Sequence, residues 1–178
     1  RHARGPRATQ RAIRFLAADL APLDYSYADL KAATDRLAGA LVRLGVAPGE
    51  RVATLAGRVP AQYITALGTL KAGAVFLPLF SAFGPEPVRA RLELGGARVL
   101  VTTDLLYRRK IAALREALPA LQHVLVLRTA PGSERPAGTL DFEEALAAGE
   151  GRFETRRTRP DDLALLHFTS GTTGLPKG

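Results

Sequence analysis

Three observations predict an α/β fold, a layered and mostly parallel sheet with flanking helices. From Arg51 onward, short apolar runs alternate with helical ones; two of the runs are near-continuous in the manner of strands covered on both faces; and Gly or Pro marks most of the joins. With 47% hydrophobic residues the chain has enough apolar material for one layered unit with a real core.

The first elements are helical by spacing. Between Thr9 and Leu20, Ala12, Ile13, Leu16, Ala17 and Leu20 recur at helical intervals with arginines opposite, which predicts a short amphipathic helix. Ser26 and Asp29 form a capping-box pair. The apolar face Leu30, Ala33, Leu37, Ala40, Leu41 and Leu44 then runs to Gly45, a suitable residue for a left-handed helix end. RVATLA at 51–56 predicts a strand. Pro60 opens a helix with Tyr63, Ile64, Leu67 and Leu70 on one face and Gly73 at its end.

AVFLPL at 74–79 predicts a buried strand, the stretch after Pro85 a helix closed by Gly95 and Gly96, and ARVLVTT at 97–103 a third strand. Leu105 to Leu118 reads as a helix and HVLVLR at 123–128 as a fourth strand. The Pro- and Gly-rich stretch 129–139 reads as an exposed loop, and Asp141 with Glu144 as a cap for a short helix ending at Gly149. An arginine-rich link then leads to Pro160, and the apolar run Leu163 to Leu166 is expected to be a strand that feeds a loop.

Composition removes several function classes. The net charge of +8 is carried mostly by arginines spread along the chain, and the two dense clusters, at 1–14 and 156–159, lack the interleaved aromatics of a nucleic-acid stacking surface. Nucleic acid is therefore not an expected partner. Gln62, Thr65, Thr69 and Lys71 interrupt the longest apolar stretches, so no membrane span is expected. The absence of cysteine excludes disulfides and thiolate metal sites and fits a cytoplasmic protein. His2, His123 and His167 are far apart, so no metal site is assigned. The chain also lacks methionine, position 1 included, and reads as a piece of a longer protein, cut at both ends.

The loop that follows Leu163 to Leu166 is FTSGTTGLPKG, Phe168 to Gly178. Gly171, Gly174 and Gly178 permit positive φ and leave backbone N–H groups uncovered for a polyanion. Thr169, Ser170, Thr172 and Thr173 add hydroxyl donors, and Lys177 adds a mobile cation with three N–H groups. Pro176 stiffens the exit and pushes Leu175 towards an extended conformation. A Walker loop is excluded. Counting from Gly171, its second glycine would fall on Pro176, and Lys177 is followed by Gly178 instead of Ser or Thr.

Read as a whole, FTSGTTGLPKG resembles the phosphate loop of the adenylate-forming superfamily, with Phe168 in the aromatic place. YSYADLKAATDRLAGALVRLGVAPGERVA resembles the opening segment of acyl-CoA synthetases, with Glu50 where that pattern has Asp. Residues 70–103, with the wording FSAFGPE, resemble acetate and other short- or medium-chain acyl-CoA synthetases. The resemblance implies ATP-dependent activation of a carboxylate as acyl-adenylate, then transfer to coenzyme A, with Mg2+ on the nucleotide. It implies that Thr169, Ser170, Gly171, Thr172, Thr173, Gly174 and Lys177 bind ATP and that Lys177 acts catalytically as a charge clamp. It also implies that Phe83 and Gly84 lie towards a coenzyme A channel, although core packing and a helix-start turn account for them better. The superfamily's magnesium, ribose, adenine and acyl sites come later in the chain, so the resemblance implies that 1–178 is a partial N-terminal adenylation domain that stops just after the phosphate loop and is not expected to turn over alone. An adenylation domain loading a carrier-protein thiol, or a nucleotide-binding relative without the chemistry, stays open.

Overall fold

The computed structural model describes residues 2–17, 19–130, 132–149, 152–170 and 176–177, with only the backbone of Ser170, Pro176 and Lys177. Its centre is a five-stranded parallel sheet in the order β4-β3-β5-β6-β7, made of β3 (Arg51–Leu55), β4 (Val75–Leu79), β5 (Ala97–Thr103), β6 (His123–Leu127) and β7 (Leu140–Asp141). Alternate side chains feed two cores. Val52, Val99, Val101 and Leu125 pack under α1 (Tyr27–Arg43), α2 (Pro60–Lys71) and α5 (Phe142–Ala147). Ala53, Leu55, Leu77, Leu100 and Val126 pack under α3 (Pro85–Leu94) and α4 (Asp104–Lys110). Burial on both sides is what made these strands apolar without alternation.

The capping and helix-end signals at Ser26, Gly45, Gly73 and Asp141 are local and hold. Ser26 Oγ accepts from Asp29 N–H while Ser26 N–H donates to the Asp29 carboxylate, completing the capping box. At the other end of α1, Gly45 takes φ +79°, and the N–H groups of Gly45 and Val46 bond to the carbonyls of Val42 and Leu41, both at 3.0 Å. This is a Schellman end, and Gly73 with Ala74 repeats it after α2. Asp141 caps α5 by accepting from Glu144 N–H at 3.0 Å.

Four expectations change. The stretch expected as a helix over 9–20 instead contains β1 (Arg11–Leu16), paired antiparallel with β2 (Pro22–Ser26). Arg14 forks onto the Asp24 carboxylate at 2.7 and 2.6 Å, and Phe15 stands edge-on to Tyr25 and Tyr63. These cross-strand partners outweigh a helical spacing that has no core to face. In α2 the buried face is Ala61, Ile64, Thr65, Gly68 and Thr69, while Tyr63, Leu67 and Leu70 are partly exposed. The small residues face inward because α1 packs so close that Leu37 lies against Gly68.

The helix expected over 105–118 breaks at fully buried Ile111, whose φ of −119° leaves the helical range, and continues as a 3-10 segment, Ala112–Ala117. The expected strand at 163–166 is reduced to one parallel bridge, Phe76 to Leu165, on the outer edge of β4.

Candidate functional site

Pro78 explains why that pairing is short. Phe76 N–H donates to Ala164 O at 2.9 Å and Leu166 N–H to Phe76 O at 3.0 Å, so even-numbered residues of β4 face the incoming segment. The next donor on that side would be the amide of residue 78, and proline has none. The segment is therefore anchored at one point and released. Leu166 and Phe168 turn into the core beneath α3, while His167 is exposed and takes no part in it.

Beyond Phe168, β8 (Thr169–Ser170) pairs antiparallel with β9 (Pro176–Lys177), Thr169 opposite Lys177 and Ser170 opposite Pro176. The two short strands form the neck of the loop, beside α3. Gly171, Thr172, Thr173 and Gly174, assigned to phosphate binding by sequence, lie outside the described residues, as do Leu175, Gly178 and the Lys177 side chain. Of the assigned set the structure thus places Thr169 and the backbones of Ser170 and Lys177, and it brings these together.

The turn after β4 leads into α3, the helix beside this neck. Gly84 is the N-cap of α3, and Phe83 packs edge-on to Phe80 with ring centroids 5.5 Å apart. The Arg91 guanidinium covers the Phe83 ring at 4.3 Å. Lys110 on α4 donates to the carbonyls of Ser81 and Phe83, both at 2.5 Å. Phe83 and Gly84 thus pack and cap as the structural reading expects. Sequence reasoning missed Arg91 and Lys110, whose only signal was basic residues on otherwise amphipathic helices.

A second charged cluster lies away from the loop. Asp35 is 1% exposed, and its carboxylate takes Lys31 on one oxygen and Lys71, at 2.5 Å, on the other. Burial by itself would push the Asp35 carboxyl up; the bonds and charges of the two ammonium groups outweigh it and hold the group below its ordinary value. Asp104, at the end of β5, is likewise held low: burial opposes ionisation, but Thr129 and the Leu105 amide bond to its charged form. Burial raises Glu143, and neighbouring Asp141 adds to the effect. Asp162 accepts from Arg159 N–H at 2.7 Å, a turn contact. Glu50, which stands where the related pattern has Asp, accepts from Ala47 N–H at 2.7 Å and Arg98 at 2.8 Å.

A doubly covered parallel sheet that delivers a glycine- and hydroxyl-rich loop at its edge strand defines the broad class of nucleotide-handling α/β proteins. More narrowly, residues 6–178 match the AMP-binding enzyme family, and the chain belongs to it. It is 39% identical over 158 residues to the acetyl-coenzyme A synthetase of Bacillus subtilis (strain 168), a match covering 86% of this chain and 26% of that protein. The acetoacetyl-CoA synthetase from Streptomyces lividans superposes with TM-score 0.90 at 31% identity, over 99% of this chain and 28% of that one. The Brucella canis acyl-CoA synthetase superposes with TM-score 0.87 at 32% identity, over 98% and 30%. The chain therefore spans roughly a quarter to a third of the length of these relatives.

Among the described residues no group of three His, Asp or Glu converges on a point that could hold a metal, and no helix is long and apolar enough to cross a membrane.

Proposed function

We propose that the protein carrying this chain is an ATP-dependent acid–thiol ligase acting on acetate or another short- or medium-chain carboxylate. In the first half-reaction a carboxylate oxygen attacks the α-phosphorus of ATP and pyrophosphate leaves, giving acyl-AMP. In the second, the coenzyme A thiol attacks the acyl carbon and AMP leaves. The loop's part is electrostatic: negative charge gathers on the departing pyrophosphate, and preorganised donors and a cation lower the barrier to its formation. Thr169, Ser170, Thr172 and Thr173 supply hydroxyls, Gly171 and Gly174 supply open backbone N–H groups, and Lys177 supplies the cation. Mg2+ would arrive on the nucleotide, where it adds positive charge at the phosphates; the described residues offer it no ligand set of their own. We place the protein in the cytoplasm, consistent with the cysteine-free sequence.

The observation that carries this reading is the closed neck, Thr169 paired with Lys177, which sets the root of the lysine at the mouth of the stretch 171–175. Membership of the AMP-binding enzyme family and the likeness to acetyl-coenzyme A synthetase support the substrate class. The test is exchange of labelled pyrophosphate into ATP by the full-length protein with acetate, butyrate, hexanoate and aromatic acids, followed by thioester formation with coenzyme A. Exchange with a short or medium acid, then acyl-CoA, is expected. Folded protein that exchanges with none of them defeats the enzyme reading, and exchange without acyl-CoA redirects it to a carrier-protein thiol.

A further inference from the structure

Between α1, α2 and the stretch Phe153–Thr155 lies an open cleft of about 600 Å³, within the size range of small-molecule sites, and it shares no residue with the loop. Its sides are apolar. Leu30 comes from α1, Leu67 and Leu70 from the outward face of α2, and Phe153 from the arginine-rich link, with the rings of Tyr27 and His2 tilted against each other, centroids 5.4 Å apart, at one end. Leu67 and Leu70 are 39% and 40% exposed, so these large apolar groups are left uncovered by the described residues of this chain.

The floor of the cleft is cationic and only partly neutralised. Lys31 and Lys71 share the single buried carboxylate of Asp35, and Arg4 and Glu154 also line the cleft, so its lining carries three cations against two carboxylates. The two lysines differ in what they have left to give. All three Lys71 N–H groups have acceptors: Asp35 at 2.5 Å, Thr34 Oγ1 at 2.6 Å and Lys31 O at 3.4 Å. Lys31 has only Asp35 among the described residues, which leaves two N–H groups for something else. A half-buried ammonium with spare donors, beside an unmatched positive charge, favours one further anionic group.

We propose that this cleft binds a monocarboxylate with an apolar tail, its carboxylate on Lys31 and its tail against Leu30, Leu67, Leu70 and Phe153. One excess positive charge matches one negative charge, and the apolar sides reject a small hydrated anion in favour of an alkyl or aryl acid. Lys71 serves as the fixed strut that holds Asp35 and, through it, Lys31 in place. The site is separate from the loop and does not depend on the reaction proposed above.

The test is calorimetric titration of the full-length protein with sodium octanoate, and with octanol as the uncharged probe, in the absence of nucleotide. Wild type is expected to bind octanoate about tenfold or more tighter than octanol, the scale of a hydrogen bond to a charged group. Lys31→Gln should abolish that preference, and Leu67→Glu should weaken octanoate binding about tenfold or more by placing a carboxylate beside the tail. Lys177→Ala should leave octanoate binding unchanged. The variants' circular dichroism and melting curves report whether they remain folded. No octanoate binding, equal binding of octanol, indifference to Lys31→Gln or to Leu67→Glu, or loss through Lys177→Ala would each overturn the proposal. Because the readout is binding without nucleotide, an enzyme that fails the exchange assay leaves this test intact.

Discussion

Replacing Gly68 with alanine sets a local gain against a tertiary cost, and the structure decides which is larger. In an isolated helix the substitution is favourable by about 1 kcal/mol. In this fold a Cβ on residue 68 would lie 2.9 Å from Leu37 Cδ2 and 3.0 Å from its Cβ and Cγ, where 3.4–4 Å is ordinary contact. Leu37 is fully buried, and its Cβ is fixed to the α1 backbone, so rotating the side chain relieves only part of the overlap. The helices must part by some tenths of an ångström, and overpacking of this kind costs roughly 1–3 kcal/mol. The net expectation is a loss of about 1 kcal/mol, or a drop of roughly 3 °C in melting temperature for a unit of this size.

Urea unfolding of Gly68→Ala, Leu37→Ala and the double variant measures it. Leu37→Ala alone should cost about 3 kcal/mol. In that background the Cγ and Cδ2 contacts are gone while the 3.0 Å approach to Cβ stays, so adding alanine at 68 should cost less than in wild type and come close to neutral, with a coupling of about 1 kcal/mol. Stabilisation by Gly68→Ala in the wild-type background, or strict additivity, would show that the α1–α2 contact is not as close as described.

Two further outcomes bear on the charged groups. Asp35→Asn should destabilise by about 2–3 kcal/mol at neutral pH, less than for a fully enclosed pair because both lysines keep some contact with water. Since the folded-state value of Asp35 is depressed, its contribution is full above the unfolded value of about 3.9 and is lost as pH falls through the lower folded value, so the gap between wild type and Asp35→Asn should be constant from about pH 5 to 8 and close below about pH 4. A gap that instead widened on acidification would reverse the assigned direction. In the full-length protein Lys177→Ala should slow pyrophosphate exchange by about 10²-fold, the effect of removing one preorganised electrostatic donor, and Lys177→Arg should recover part of it. Thioester formation from pre-made acyl-adenylate should be far less affected, because pyrophosphate has already left; equal loss of both half-reactions in a folded variant would remove the clamp role.

Much of this architecture was legible because its causes are local. The capping box at Ser26, the left-handed glycines at 45 and 73 and the Asp141 cap each involve residues a few positions apart, and the strands at 51–55, 75–79, 97–103 and 123–127 are apolar because both sheet faces are covered. The reading of the loop rests on the sequence for a similar reason: its glycines, hydroxyls, proline and lysine are contiguous, while the structure describes only its neck. What the sequence by itself could not decide were the features set by distant neighbours. Arg11–Leu16 became a strand because Asp24 and Tyr25 lie across from it. The face that α2 buries was chosen by how closely α1 approaches Gly68, and that closeness leaves Leu67 and Leu70 outside. Pairing at 164–166 stopped after one bridge because Pro78, remote in sequence, has no N–H to offer it. Lys71 reads in the sequence as an interruption of an apolar stretch; only the packing of α2 on α1 brings it within 2.5 Å of Asp35, since a charge's partner is fixed by which helices meet and not by its own neighbours in the chain.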